Sequence, residues 1–257
     1  MTAQLPDFLL RGTAIVIFAI GIGLVAVHTT LAVLAAQRRD GSRPGSLLLP
    51  GAIGAYLAVW FALALTLGDP ANFPLQREGL RRLYTLLAGF GPMLVAVALL
   101  FASRALGSLN AAMPASWLIR AQTYRVAGLM FIFPFLYYGV VPAGFAIPAA
   151  LGDFVTGALA PIVARAVAER QPRAIAWARA WNLFGVLDLI VAPASAVLSG
   201  ARVLGLYPLS LVPLFIGPPL GILAHVYSLR NLAATSSAAT AGVSPHPTGT
   251  AHAHVSA

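Results

Sequence analysis

The chain contains no cysteine and no lysine, and it carries little charge of either sign. Without cysteine there are no disulfides, no thiolate metal sites and no covalent haem attachment, and the redox compartment is left open. Without lysine no Schiff base can form with retinal or pyridoxal, which excludes a retinal photoreceptor despite the helix count argued below. Charged residues are only 9% of the 257, against about 25% in an ordinary globular domain. Phosphate-binding loops of the Walker type, HExxH, GxSxG and carboxylates paired at hydrolase spacing are also missing. Soluble-type enzyme chemistry therefore has no foothold, and the balance is against an enzyme.

What is present is apolar. Hydrophobic residues are 59% of the chain, too many to hide in one water-soluble core, so lipid is the expected solvent. At about 20 residues per span plus short loops, there is room for about seven helices. The expectation is an all-α, polytopic transmembrane bundle in residues 1–232, located in the cell membrane as a multi-pass protein. Spans are expected at 12–36, 47–67, 83–102, 122–141, 148–168, 177–199 and 206–231. The first run is longer than the roughly 7–15 apolar residues of a signal peptide and follows Asp7, so it reads as an uncleaved span. Residues 68–82 form a long loop whose latter half suits an interfacial amphipathic helix. Residues 103–121, with Trp117 and Arg120, suit an interfacial segment better than a span. Residues 233–257, rich in Ala, Ser, Thr and Gly, read as a disordered tail. In it His246, His252 and His254 lack anything to fix a metal-binding geometry.

All sixteen basic residues are arginine, and the net charge is +9. They sit between the apolar runs, so they read as topogenic loop charge that meets anionic lipid and not as a nucleic-acid surface. Orientation follows from counting. With the N-terminus outside, the inner segments carry Arg38, Arg39, Arg43, Arg104, Arg120, Arg125, Arg165, Arg170, Arg173, Arg179 and Arg230. The outer segments carry Arg11, Arg77, Arg81, Arg82 and Arg202. Eleven against five favours N-out and C-in. The first and last three helices show no repeat, which weakens a duplicated-transporter reading.

Charge at membrane depth is costly and marks where function should be sought. Residues 122–160 concentrate it: an arginine, three tyrosines, three prolines and an aspartate in apolar surroundings, read as two helices joined by a turn at 140–147. Asp188 lies near the middle of its span. Trp181, Gly185, Ala192 and Ser195 share its stripe, and such small residues let another helix approach. It could bind a cation, relay a proton, or hold helices together as a paired carboxylate. Asp153 follows Gly152 and, if its helix begins at Pro148, lies about 8 Å inside it, where a first-turn carboxylate is favoured by the helix dipole. Arg125 either snorkels to the headgroups or turns inward toward Asn182 or Asp188. Asn182 fits a role as interhelical hydrogen-bonding glue. Tyr137, Tyr138 and Tyr207 fit an outer aromatic belt. His28 and His225 stand singly at similar depth in the first and seventh spans, each with a glycine at helical spacing (Gly21, Gly221), and could share a ligand such as a b-type haem. Pro213, Pro218 and Pro219 interrupt the seventh span, and a broken helix frees carbonyls that need partners.

The run QTYRVAG at 122–128, Gly152-Asp153, and WNLFG at 181–185 with Asp188 resemble a group of uncharacterised bacterial membrane proteins. The resemblance covers residues 120–232 and implies no particular activity. Three functions remain in view: small-solute or proton-linked transport through a polar site in the bundle, a haem or redox-cofactor protein, and a non-catalytic membrane subunit or scaffold. The bilayer is the expected partner and a small-molecule ligand a candidate one, with no metal and no nucleic acid.

Overall fold

The computed structural model describes residues 7–41, 45–69 and 78–241. Nine α-helices account for most of them: α1 (Asp7–Asp40), α2 (Leu48–Gly68), α3 (Glu78–Ala102), α4 (Arg104–Ala112), α5 (Ala115–Ala121), α6 (Ile132–Tyr138), α7 (Ala143–Ala168), α8 (Ala174–Leu198) and α9 (Pro218–Ala241). Five stretches are long and apolar enough to cross a membrane: Arg11–Asp40, Leu48–Gly68, Ala143–Ala168, Ala174–Leu198 and Val212–Ala234. A sixth is gained if Leu86–Ala102 and Arg104–Ala112, which meet at 89°, count as one broken span. The expected fourth span has a different character. It runs helically through residues 115–138, but from Gln122 to Phe131 the winding tightens to a 3-10 helix.

Two boundaries differ from the sequence reading. The turn before α7 is shorter than expected, because Gly139 takes the left-handed conformation that ends α6 and the helix restarts directly after Pro142. Pro148 is thus carried inside α7 and does not begin it. At the other end, α9 continues to Ala241 and so enters the segment read as a tail; His246, His252 and His254 lie outside the described residues.

An apolar core encloses a set of buried polar side chains, and many large apolar side chains face outward. The most deeply buried side chains include Gln122, Arg125, Thr156, Asn182 and His225, while Leu183, Leu187, Ile190 and Leu198 of α8 and Leu94 and Phe101 of α3 stand exposed. Exposed apolar area on this scale needs a partner or a lipid solvent. Inside, Trp60 and Phe61 of α2 meet Phe215 at ring-centre distances of 5.2 and 5.0 Å, joining α2 to the interrupted helix before α9.

At the arginine-rich end, α4 lies across the bundle and is tied down on both sides. Ser103 caps it by accepting from the Leu106 N–H. Arg39 of α1 donates to the Ala105 carbonyl and the Ser108 hydroxyl, and Arg38 stacks on Trp117 at 4.4 Å. From α9, Arg230 donates to the Leu100 carbonyl and covers Phe101, while Asn231 donates to the Asn110 carbonyl at 2.7 Å. Residues 103–121 therefore form a bent, arginine-clamped platform. The α7–α8 turn at this end puts Arg170 and Arg173 at φ of +53° and +62°, a region that non-glycine residues seldom occupy. There Arg165 and Gln171 both donate to Glu169, which holds its carboxyl below the ordinary carboxylate range.

Candidate functional site

The site is built on the 3-10 segment. Its buried residues are Gln122, Arg125, Gly128 and Phe131, a spacing of three. With three residues per turn, side chains at i and i+3 eclipse, so these four form one straight row. The row lies against α7, and the approach is close because glycine stands where a side chain would collide. A β-carbon on Gly157 would come within 2.9 Å of Arg125 backbone, and one on Gly128 would strike Asp153.

Arg125 is the hub. Its side chain is 1% exposed, and its fork addresses three helices. Nε donates to Asp153 Oδ1 of α7 at 2.7 Å, and Nη2 donates to Asp188 Oδ2 of α8. Nη1 donates to His225 Nε2 of α9 at 3.1 Å and lies 3.5 Å from the Gly185 carbonyl. Only a guanidinium offers donors in this fixed planar fork. Because His225 Nε2 accepts from Arg125, its Nδ1 carries the proton and donates to Asn182 Oδ1 at 2.9 Å. Asn182 then donates to the Ala178 carbonyl and to Ser228 Oγ. Trp181 lies against the imidazole, with ring centres 5.0 Å apart, and donates from Nε1 to the Thr156 carbonyl at 3.0 Å.

Glycines clear space for each partner in turn. A β-carbon on Gly152 would fall on the Asp188 carboxylate, and one on Gly185 would fall on the His225 ring. Tyr124, next to the hub, donates to the Ile216 carbonyl at 2.7 Å. That carbonyl ends the π-helical turn Val212–Ile216, which precedes Gly217 and α9. The break expected from Pro213, Pro218 and Pro219 is therefore present, and its last carbonyl is satisfied from the same segment that carries Arg125.

The polar centre adjoins open space. A cavity of about 870 Å³ lies between α3, α7, α8 and the 200–218 connection, walled by residues such as Phe90, Phe131, Phe145, Ala196, Leu206 and Val212, with Asp153 at its polar end. Arg202, which is exposed, also lines it. A small void of about 20 Å³ beside Tyr124, Arg125 and Gly128 also borders Asp153, enough for about one water molecule. Asp153 thus touches Arg125 on one side and the cavity on the other. Its Oδ1 is held by Arg125, and its Oδ2 has no donor among the described residues.

A family of unknown function, the domain DUF8737, has a sequence profile that matches residues 83–233, more than half of the chain. The chain belongs to that family. No curated protein and no solved structure matches. The DUF8737 match contains Arg125, Asp153, Asn182, Asp188 and His225, leaves out α1, α2 and the chain up to the first turn of α3, and spans the 120–232 resemblance read from the sequence. The polar centre is therefore internal to the DUF8737 domain, whereas His28 lies outside it.

Arg125, Asp153, Asp188, Asn182 and His225 come together in one network; His28 does not join it. Its Nδ1 faces the Leu24 carbonyl of its own helix at 2.8 Å, and its Nε2 is buried with no hydrogen-bond partner among the described residues. Both ring nitrogens of His225 are engaged, leaving none free for iron. The space beside Gly21 is taken by Phe61, and that beside Gly221 by Leu189. The side chains as they stand do not fit a bis-histidine haem. Among the described residues no group of three or more His, Asp or Glu side chains is placed to hold a metal ion. Asp153 also sits deeper than expected: it is ten residues beyond Ala143, the start of α7, or about 15 Å along the axis. Its stabilisation comes from Arg125 and not from a helix start. Tyr124, Ser228 and Gly128 escaped the sequence reading as site residues.

Proposed function

We propose that this is a multi-pass membrane protein that binds and translocates a small, mainly apolar solute, with Asp153 as the polar end of the binding cavity and the Arg125 network as its support. The observation that carries this reading is the double contact of Asp153, with the Arg125 guanidinium and with an apolar cavity of about 870 Å³. Ligand cavities of this kind, about 300–1,000 Å³ with a few convergent polar groups, are the usual form of small-molecule sites. Charge counting supports a link to protons. Two carboxylates around one guanidinium leave one negative charge uncompensated, and a low-dielectric interior demands that a proton or a cation supply the balance. In membranes, ionisable residues placed this way mark substrate paths and proton relays.

Counting both the bent 86–112 pair and the 115–138 run as crossings gives seven passes, with the N-terminus outside and the arginine-rich end in the cytoplasm. A bundle held together by the ion triad, with no transport role, is the competing reading, and the cavity at Asp153 is what favours transport over it. The test is a solute screen with purified protein in liposomes containing a trapped pH indicator. A member of the screen should enter and move protons with it, and D153N should abolish both. Uptake that is unchanged in D153N would end the proposal.

A further inference from the structure

From the charge and lining of the same cavity, and resting on the reading just given, we infer that its occupant is an apolar-bodied monocation, such as a substituted ammonium ion. Three observations converge on this chemistry. Asp153 lines the cavity, and its Oδ2, which lies beside Gly128, has no donor among the described residues, while Oδ1 is fixed by Arg125. A neutral solute would leave that oxygen unpaired and the surplus negative charge to be met by a proton alone, and an anion would add to it. A single positive charge within reach of Oδ2 completes the balance of Arg125, Asp153 and Asp188. The walls supply the second observation: Phe90, Phe131 and Phe145 line the cavity, with Phe131 and Phe145 edge to face at 5.2 Å. Aromatic faces attract a desolvated cation and accept its apolar substituents equally well. The third is the remainder of the lining, Ala149, Ala192, Ala196 and Leu206 among it, which apart from Arg202 has no hydrogen-bonding side chains with which to recognise a polar body such as a sugar or an amino acid.

Arg202 is the one cation on the lining, and it points to a rival occupant, an amphipathic anion held at the cavity mouth. Arg202 belongs to the connection after α8 and is exposed, so water screens its charge, whereas Asp153 is largely buried. The buried charge dominates.

The test compares ions of matched shape and opposite charge on the full-length protein in nanodiscs of neutral lipid. Tetraphenylphosphonium and benzyltrimethylammonium serve as cations, and tetraphenylborate as the anion. At least one cation should bind at least tenfold more tightly than tetraphenylborate, and D153N should reduce that cation's affinity at least tenfold. Ala196→Trp, which fills the cavity and leaves the ion network intact, should also weaken it, so the inference stays testable if D153N folds poorly. Three results would overturn the inference: no cation binding, tetraphenylborate binding as well as or better than the cations, or cation binding indifferent to both variants. If the solute screen meanwhile finds a neutral or anionic substrate dependent on Asp153, the transport reading stands and only the cation assignment falls.

Discussion

Arg125 holds two carboxylates that would otherwise face each other in a dry interior. Its removal should therefore cost more than the loss of a contact. Breaking a buried ion network by deleting one partner is expected to destabilise by about 3–5 kcal/mol. Arg125→Leu should lower the unfolding midpoint accordingly in detergent, and adding D188N to it should recover part of the loss by removing a charge. Arg125→Lys should fail to rescue, because one ammonium cannot reach Asp153, Asp188 and His225 with a planar fork. If Arg125→Leu unfolds like the wild type, the hub role is wrong. The glycines carry a separate expectation. Gly152→Ala drives a methyl onto the Asp188 carboxylate and should cost about 1–3 kcal/mol as overpacking. Gly23→Ala, with nothing within 4 Å, should be neutral or stabilise by up to about 1 kcal/mol through helix propensity. Thermal unfolding of the two variants side by side checks the contrast.

Among the elements, the 3-10 segment and the broken helix before α9 are coupled by the Tyr124 hydroxyl, which donates to the Ile216 carbonyl. Tyr124→Phe leaves that carbonyl without its donor and should destabilise by about 1–3 kcal/mol. Hydrogen exchange should rise at residues 212–221 before it rises elsewhere; uniform change along the chain would contradict the coupling. The prolines made the break in the last helix legible, since each removes a backbone donor. Asp188 and Arg125 were legible because a charge in an apolar run needs a partner, and the stripe of Trp181, Gly185 and Asp188 does face protein. The 3-10 winding was not legible, because an apolar segment of this length fits a normal helix equally well, and its close packing against α7 at Gly128 and Arg125 is a tertiary feature. The start of α7 was misplaced for a related reason. Pro148 resembles a first-turn proline, yet helix propensity yields to the packing of Phe145 and Ala146, both buried ahead of it. His28 and His225 looked alike in sequence, and only the tertiary arrangement separates a histidine bonded to its own helix from one locked between Arg125 and Asn182.

For the whole molecule, the distribution of charge fixes the expected orientation. Most of the described arginines gather at the end that holds Arg38, Arg39, Arg104, Arg230 and the α7–α8 turn, while Arg11, Arg202 and the α6–α7 connection lie toward the other. Reporter fusions after Asp40, Asn110 and Arg173 should report cytoplasm, and one after Gly144 the exterior; an exterior signal at Arg173 would overturn the seven-pass scheme. The exposed leucines of α3 and α8 belong to that scheme as lipid-facing surface, and the buried polar centre is what the bundle encloses. The claim on which all of this turns is that Asp153 is a buried carboxylate presented to the apolar cavity. Labelling with a lipophilic carbodiimide, which modifies protonatable carboxyls in apolar surroundings, followed by peptide mapping, measures it directly. The adduct should form on Asp153, be absent in D153N, and be suppressed when Ala196→Trp fills the cavity. An adduct confined to water-exposed Glu169, or labelling of Asp153 that the filled cavity does not reduce, would contradict the account.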